Sequence, residues 1–303
     1  MAEQLRFDGR VAVITGAGHG LGRAHALLLA SRGAKVVVND LGGNVDGTGS
    51  DKTPAQKVVE EIKAAGGEAV ADANTVATVE GGQAIIKTAL DAFGKVDIII
   101  NNAGILRDKS FKNMSPEFLD PVLDVHLKGA FWVTQAAWEL MREQKYGRIV
   151  NTSSAAGIFG NFGQTNYGAA KMGIVGFTNV LKEEGAKYNI KANCIAPGAK
   201  TRMTEDLMGP MAANINMDPE LVSPMVAYLC HESCKVTGEI YSAAAGRVGR
   251  IFVGACQGIF NPELTIEYVR DNLEQIRDTK DFVIPTNAMG EMALMTKHLN
   301  KKK

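Results

Sequence analysis

Near the start of the chain a short apolar run, Val11-Ala12-Val13-Ile14, gives way to Thr15-Gly16-Ala17-Gly18-His19-Gly20-Leu21-Gly22, and an alanine- and leucine-rich stretch from Arg23 to Ser31 follows. This order of strand, glycine turn and helix narrows the fold more than any other feature. A strand that passes straight into a helix opens a crossover unit, the usual way back to a parallel sheet. Glycines in the turn let backbone approach a pyrophosphate, and the free N–H groups of the first helical turn attract its charge. Gly16, His19, Gly20, Leu21 and Gly22 are therefore candidate contacts of a dinucleotide.

The alternation continues along the chain. Lys35 to Asn39 and Glu68 to Ala73 read as strands, while Pro54 to Ala65 and Gly82 to Phe93 carry helical periodicity. Val96 to Ile100 is a buried strand, and a long helical region runs from about Pro116 to Glu143. A fifth strand ends at Ile149-Val150-Asn151, a helix reaches about Lys187, and Lys191 to Ile195 is a sixth strand. Pro224 to Cys230 reads as a helix and Glu239 to Ser242 as a seventh strand. Such alternation predicts an α/β fold, a Rossmann-type doubly wound parallel sheet of about seven strands. Beyond Gly246 the chain changes character, with Asn261-Pro262, a helix over Thr265 to Asp278 and Met289, Met292 and Met295 in the tail. Residues 1–245 are expected to form the Rossmann domain, and 246–303 a C-terminal helical extension packed on the same domain.

Asp40 ends the second strand, 24 residues after Gly16, close to where a dinucleotide fold places the acid that binds the adenosine ribose hydroxyls. That carboxylate would repel a 2′-phosphate. No arginine or lysine follows before Lys52, so NAD is expected rather than NADP. Asn74, with Thr75 beside it, falls at the end of the third strand, where a side chain meets the adenine edge. Gly42 to Thr53 reads as a glycine-rich polar surface loop.

A second constellation lies in Ile149 to Lys171, IVNTSSAAGIFGNFGQTNYGAAK. The strand delivers Ser153 and Ser154 at its carboxyl end, and Tyr167 and Lys171 stand four residues apart on one helical face. A free phenol has a pKa of about 10, too high for a base near neutrality, but a nearby ammonium favours the phenolate. Lys171 is thus expected to lower the pKa of Tyr167, which would exchange a proton with a substrate oxygen held by Ser154. His126, on the long helix, reads first as a satisfied core histidine. Arg202 to Met217 breaks the regular pattern, and Met203, Leu207, Met208, Met211 and Met217 there would give an adaptable apolar surface for an acyl chain.

Composition removes other classes. With 303 residues and 46% hydrophobic content the chain can bury a full core, and its net charge of zero points away from nucleic acid. No apolar run approaches the roughly 20 residues of a membrane span, and the first ten residues lack a signal-peptide core. A soluble, unsecreted protein with reduced thiols is expected. Cys230-His231-Glu232-Ser233-Cys234 has no second ligand pair at a zinc-like spacing, so no metal is expected there and the segment reads as a helix end.

Taken together, Thr15-Gly16-x-x-x-Gly20-x-Gly22, Asn101-Asn102-Ala103-Gly104, Ser154, Tyr167-x-x-x-Lys171 and Pro197-Gly198 resemble the short-chain dehydrogenase/reductase family in order and spacing, from Phe7 to about Gly246. The resemblance implies catalytic roles for Ser154, Tyr167 and Lys171, with Ser154 and Tyr167 also meeting the substrate. It implies NAD contacts from Asn101, Ala103, Gly104, Tyr167, Lys171, Pro197 and Gly198. Leu5 to Arg10, Val38 to Gly43, Ala103 to Asp108, Lys145 to Ile149, Gly160 to Gln164 and Cys230 to Cys234 further resemble the (3R)-hydroxyacyl-CoA dehydrogenase units of peroxisomal multifunctional enzymes of type 2. That likeness implies NAD-dependent oxidation of (3R)-3-hydroxyacyl-CoA in β-oxidation, a homodimer, an enoyl-CoA hydratase fused or separate, and a peroxisomal location, with cytoplasm as the alternative. Asn300 to Lys303 is not a Ser-Lys-Leu type tripeptide, so the location rests on the resemblance alone. The wider family usually has asparagine where His126 stands, in its proton-relay helix, which makes His126 a further catalytic candidate, and commonly aspartate where Asn74 stands. Two rival readings are a 3-ketoacyl reductase of the same family, which Asp40 opposes, and an NAD-binding scaffold without turnover.

Overall fold

A computed structural model describes residues 4–51, 53–204 and 215–299. The chain divides into two compact units, Met1–Arg250 and Ile251–Lys303.

In the first unit, β1 (Val11–Thr15), α1 (Gly20–Ser31), β2 (Lys35–Asn39), α2 (Thr53–Ala64), β3 (Glu68–Asp72), α3 (Val79–Phe93) and β4 (Ile98–Asn101) follow one another. Then come α4 (Pro116–Leu123), α5 (Gly129–Glu143), β5 (Gly147–Thr152), α6 (Ala155–Phe159), α7 (Thr165–Gly185), β6 (Ile190–Gly198), α8 (Ser223–Cys230), β7 (Ile240–Ala244) and β8 (Arg247–Ile251). The strands lie in one sheet in the order β3-β2-β1-β4-β5-β6-β7-β8. Every pair from β3 to β7 is parallel. The chain winds outward from β1 in one direction and then restarts at β4 in the other, which opens a crevice at the carboxyl ends of these two strands.

The central strands β1 and β4 are almost wholly apolar because both faces of the sheet are covered there, while β8 at the edge is largely exposed. Alternate residues feed two cores: Ala12, Ile14, Val36 and Val38 pack with Leu29 of α1, Val58 and Ile62 of α2 and Leu229 of α8. Val11, Val13, Val37 and Ile99 pack on the other side with Ile85 of α3, Val133 and Met141 of α5 and Leu181 of α7. The period of two survives even where every residue is buried.

Three departures from the sequence reading have local causes. An eighth strand follows β7 after only Ala245 and Gly246, whose φ values of 49° and 79° make the left-handed pair of a tight hairpin, so β8 turns back antiparallel. Alanine gives no turn signal, which hid it. The expected helix of 116–143 is interrupted by one wide turn, Asp124–Lys128, with π-type bonding, and His126 sits in it. Helix α3 begins at Val79, earlier than Gly82, because the Thr78 hydroxyl accepts from Gly81 N at 3.0 Å and caps it. Leu207, Met208 and Met211 of the methionine-rich stretch fall outside the described residues.

The second unit carries α9 (Ile266–Asp271), α10 (Leu273–Ile276) and α11 (Ala288–Leu299). The single helix expected over 265–278 is two short ones meeting at Asn272, the first capped by the Thr265 hydroxyl. Ala255 and Val283 exchange both backbone hydrogen bonds at 2.9 Å, and the rings of Phe252 and Phe282 stack 5.4 Å apart. Among the described residues no helix is long and apolar enough to cross a membrane, and no group of side chains could hold a metal ion.

Candidate active site

The turn after β1 and the turn after β4 are stitched together at the crevice. The Thr15 hydroxyl accepts from Asn102 N and Ala103 N at 3.1 Å each, and the Asn102 amide donates to the carbonyls of Thr15 and Gly16 at 3.0 Å. Gly16 has φ +63°, and a Cβ there would lie 2.7 Å from Ala103 Cα, so neither the conformation nor the space admits another residue. His19 stands at the N-cap of α1, and its Nδ1 is 3.2 Å from an Arg202 guanidinium nitrogen. Asp40 directly follows β2 with both carboxylate oxygens anchored at 2.7 Å, one accepting from Gly18 N and the other from Gly42 N. Asn74 is held at the crevice edge by donating its amide to Asp72 Oδ2 at 2.8 Å, while the Asn39 amide donates to the Asn74 carbonyl at 2.9 Å.

Across the crevice, β5 hands the chain to α6 through Ser153 and Ser154. Ser153 is buried and donates to the Lys171 carbonyl at 2.8 Å, which docks α7 on the strand end. The Ser154 oxygen accepts from Ala156 N at 3.1 Å, and its hydroxyl is near enough to the Tyr167 phenol to act on that group's pKa. One turn further along α7, the buried Lys171 donates from Nζ to the Thr152 carbonyl at 2.6 Å. Burial lowers the Lys171 pKa from 10.5 to about 7.

The electrostatics differ from the expectation that lysine lowers the tyrosine. Among the chain's own groups, burial raises the Tyr167 pKa and the neighbouring Ser154 hydroxyl opposes that rise. The Lys171 ammonium is drawn to the Thr152 carbonyl and lies 5.5 Å from the Tyr167 ring centroid. Its own desolvation weakens the charge that would have done the lowering.

His126 forms one wall of the same crevice. Its ring meets that of Tyr167 edge-on, with centroids 5.1 Å apart. Nε2 is 3.0 Å from Ile105 N, from which it accepts, and 2.8 Å from Ile105 O. Nδ1 is buried with no partner. Burial, then the Lys171 charge, push its pKa well below 6.5, so the ring is neutral near pH 7. A Cβ on Gly104 would come within 2.3 Å of His126 Cε1.

One cleft therefore brings together Gly16, His19, Gly20, Leu21, Asp40, Asn74, Thr75, Ala103, Gly104, His126, Ser154, Tyr167, Lys171 and Pro197. Three expected contacts do not line it. Asn101 faces the interior, donating to Asn151 Oδ1 at 2.8 Å and Thr134 Oγ1 at 3.0 Å, because neighbours on a strand point to opposite sides. Its successor Asn102 reaches the cleft instead. Gly22 serves packing: a Cβ there would be 2.3 Å from the Gly16 carbonyl. Gly198 likewise abuts Ala244 of β7. Arg202 and Met203, from the stretch expected to offer an acyl-chain surface, do line the cleft together with Thr201 and Thr204, whereas the loop residues Leu41, Gly43, Asn44, Val45 and Gly47, which also line it, were not expected there. Glycine and polar residues marked that loop as exposed, and nothing local signals which way a loop folds back.

These residues fit a dinucleotide. Backbone at Gly16 and Gly18 comes closer to its neighbours than any Cβ would allow, the free N–H groups of α1 face the cleft, and an anchored carboxylate closes one end.

Comparison with known proteins agrees with this geometry. The family described as short chain dehydrogenase matches residues 10–210. Peroxisomal hydratase-dehydrogenase-epimerase of Saccharomyces cerevisiae is 52% identical over 285 residues, which is 93% of this chain and 31% of that protein. The structure of full-length peroxisomal multifunctional enzyme type 2 from Drosophila melanogaster is similar at TM-score 0.81 and 42% identity, covering 98% of this chain and 50% of that one. 7α-Hydroxysteroid dehydrogenase complexed with NADH and 7-oxo glycochenodeoxycholic acid is similar at TM-score 0.73 and 28% identity, covering 81% of this chain and 97% of that one. The chain thus spans only part of the length of the multifunctional relatives it matches.

Proposed function

The chain belongs to the short-chain dehydrogenase family, an oxidoreductase family that uses a nicotinamide cofactor, and from that membership we propose that it oxidises (3R)-3-hydroxyacyl-CoA to 3-ketoacyl-CoA with NAD in peroxisomal fatty-acid β-oxidation. The observation that carries the reading is the meeting of Ser154, Tyr167 and Lys171 in one cleft whose far end is closed by Asp40. The names of the yeast and fly relatives support the compartment, and the yeast name supports a dehydrogenase that works beside a hydratase.

A bound dinucleotide would supply the acceptor for the hydride lost from C3 of the substrate. The chain's residues do the rest. Asp40, held by two backbone N–H groups, keeps lone pairs for the adenosine ribose hydroxyls and disfavours a 2′-phosphate. Ser154 and Tyr167 line the same part of the cleft, and the substrate's C3 oxygen would enter between them. Tyr167 takes the proton from that oxygen as the carbonyl forms, and Ser154 donates to the oxygen and fixes the face of C3 presented for hydride loss. Lys171, buried beneath the phenol and anchored on Thr152, would hold the nicotinamide ribose with its remaining donors. Asn74, Thr75, Ala103 and Pro197 would line the rest of the cofactor groove.

The reading makes the protein a homodimer and pairs it with an enoyl-CoA hydratase, fused or separate, since hydration of a 2-enoyl-CoA yields the 3-hydroxy substrate. The test is NAD reduction measured on paired (3R) and (3S) hydroxyacyl-CoA substrates of several chain lengths. Turnover confined to the (3R) series supports the proposal. Equal turnover of the two series, or none, overturns it.

A further inference from the structure

The segment that leaves β4 is gripped from two sides, and one arginine joins the grips. On one side lies the glycine-rich loop that follows Asp40. It is internally tied, with Asn44 N donating to Thr48 O at 2.8 Å and Asp51 N to Leu41 O at 3.0 Å, and it hangs from the Asp40 carboxylate through Gly42 N. This loop lies against the β4 exit: Leu106 N donates to Val45 O at 2.9 Å, and a Cβ on Gly47 would touch Ile105 Cδ1 at 3.0 Å. Arg107 closes the contact by donating from Nε to the Asp46 carbonyl at 2.7 Å.

On the other side lies the N-terminus of α7, which carries Tyr167. The Arg107 carbonyl accepts from the Asn166 amide at 2.8 Å. Asn166 is fully buried, donates also to the Phe118 carbonyl at 2.8 Å, and accepts from Tyr167 N at 2.8 Å through its side-chain oxygen. A second donor of Arg107, Nη1, reaches the Glu117 carbonyl at 2.7 Å, so the guanidinium also fixes the start of α4. From Asp40 to Tyr167 the path runs through loop backbone, Arg107 and Asn166 with a hydrogen bond at each junction.

We infer that Arg107 is a positioning residue that couples the loop over the adenosine end of the cleft to the catalytic tyrosine. Leu41, Gly43 and Val45 line the cleft on the loop side and Tyr167 lines it at the reacting end, so a dinucleotide lying along it would order the loop at one end and, through Arg107 and Asn166, settle Tyr167 at the other. Binding energy gained far from the reacting carbon would then be expressed in turnover rather than in affinity. The planar fork of arginine suits this place, because it serves two carbonyls in different directions while its own carbonyl serves a third group.

This inference rests on the cofactor reading above, and the experiment separates the two. Hydrogen exchange of the full chain is followed with and without NAD for the native sequence, Arg107→Met and Arg107→Lys. In the native chain NAD is expected to slow exchange both in 42–51 and in 165–168. In Arg107→Met the loop is still protected and the response at 165–168 is lost; Arg107→Lys, with one point donor and the charge retained, falls between and decides the matter if the methionine variant does not fold. In turnover assays kcat of Arg107→Met falls about tenfold to a hundredfold, the cost of a slightly misplaced reacting group, while KM for NAD shifts much less. Unchanged protection at 165–168 in both variants overturns the coupling and leaves the cofactor reading standing. Absence of NAD protection anywhere in the native chain overturns both.

Discussion

The Lys171 ammonium is buried against the Thr152 carbonyl, 2.6 Å away, at the foot of the tyrosine it was expected to activate. Its pKa of about 7, down from 10.5 through burial, has a consequence for stability. Between these values the unfolded chain holds a proton that the folded chain has released, so stability rises with pH through that window and is flat below it. The slope is at most ~1.4 kcal/mol per pH unit. Urea midpoints at pH 7 and pH 9.5 are expected to show the native chain gaining on Lys171→Met as the pH rises; parallel behaviour of the two would contradict the shift.

Burial raises the Tyr167 pKa, so the base form grows with pH above neutrality. Initial rates of oxidation are expected to climb from pH 7 to pH 9, and rates of the reverse reduction to stay level, because the phenol remains protonated over that range. Tyr167→Phe should bind NAD with little change and lose turnover by roughly 10²–10⁴-fold, the usual worth of a positioned acid or base. Near-normal turnover in that variant would remove Tyr167 from the mechanism.

Asp40 is tied to Gly18 N and Gly42 N and lines the cleft, and on the proposed NAD reading its charge would repel a 2′-phosphate. Asp40→Ser loses those charge-assisted bonds and the repulsion. Its ratio of kcat/KM with NAD to that with NADP is expected to drop about tenfold or more, equivalent to ~1.4 kcal/mol, and an unchanged ratio would show that specificity lies elsewhere.

Gly104 is pressed against the His126 ring, with 2.3 Å between a notional Cβ and Cε1. Gly104→Ala must displace that ring, which packs edge-on against Tyr167, and kcat is expected to fall about tenfold. Adding His126→Ala removes the clash, so the double variant should recover part of the lost rate. Strict additivity of the two effects would argue that the ring does not transmit the disturbance.

His25 of α1 is buried, with Nδ1 2.8 Å from the Ser223 hydroxyl, and burial lowers its pKa from 6.5 to about 3. The unfolded chain takes a proton near pH 6.5 that the folded chain refuses until about pH 3, so stability declines as pH falls through this interval. His25→Phe is expected to flatten that decline in urea titrations at pH 7, 5 and 4. If the two proteins lose stability equally, other groups govern acid unfolding.

Much of this molecule is legible in one dimension. Buried strands announce themselves as Val11 to Ile14 and Val96 to Ile100 do, by apolar runs bounded by turns, and helices by their period. The glycine turn, Asp40 and the Ser154, Tyr167 and Lys171 spacing are local patterns, because each depends on a strand end or a single helical turn. Reading failed where a choice depends on partners distant in sequence. Asn101 and Asn102 are chemically identical neighbours, yet only packing against Thr134 and Asn151 on one side and Thr15 and Gly16 on the other decides which faces the cleft.

The sequence by itself determined the order of strands and helices, the parallel sheet they must build and the residue types that meet at its carboxyl edge. Only the tertiary structure decided that the loop after Asp40 becomes a wall of the cleft, that Arg107 ties it to Asn166, and that Lys171 loses its charge readily. Periodicity and turn chemistry act over a few neighbouring residues and are written in the chain. Desolvation and hydrogen bonding across 50 or more positions, as between Asp46 and Arg107, Arg107 and Asn166, or Asn101 and Asn151, arise only once the sheet has brought those residues together.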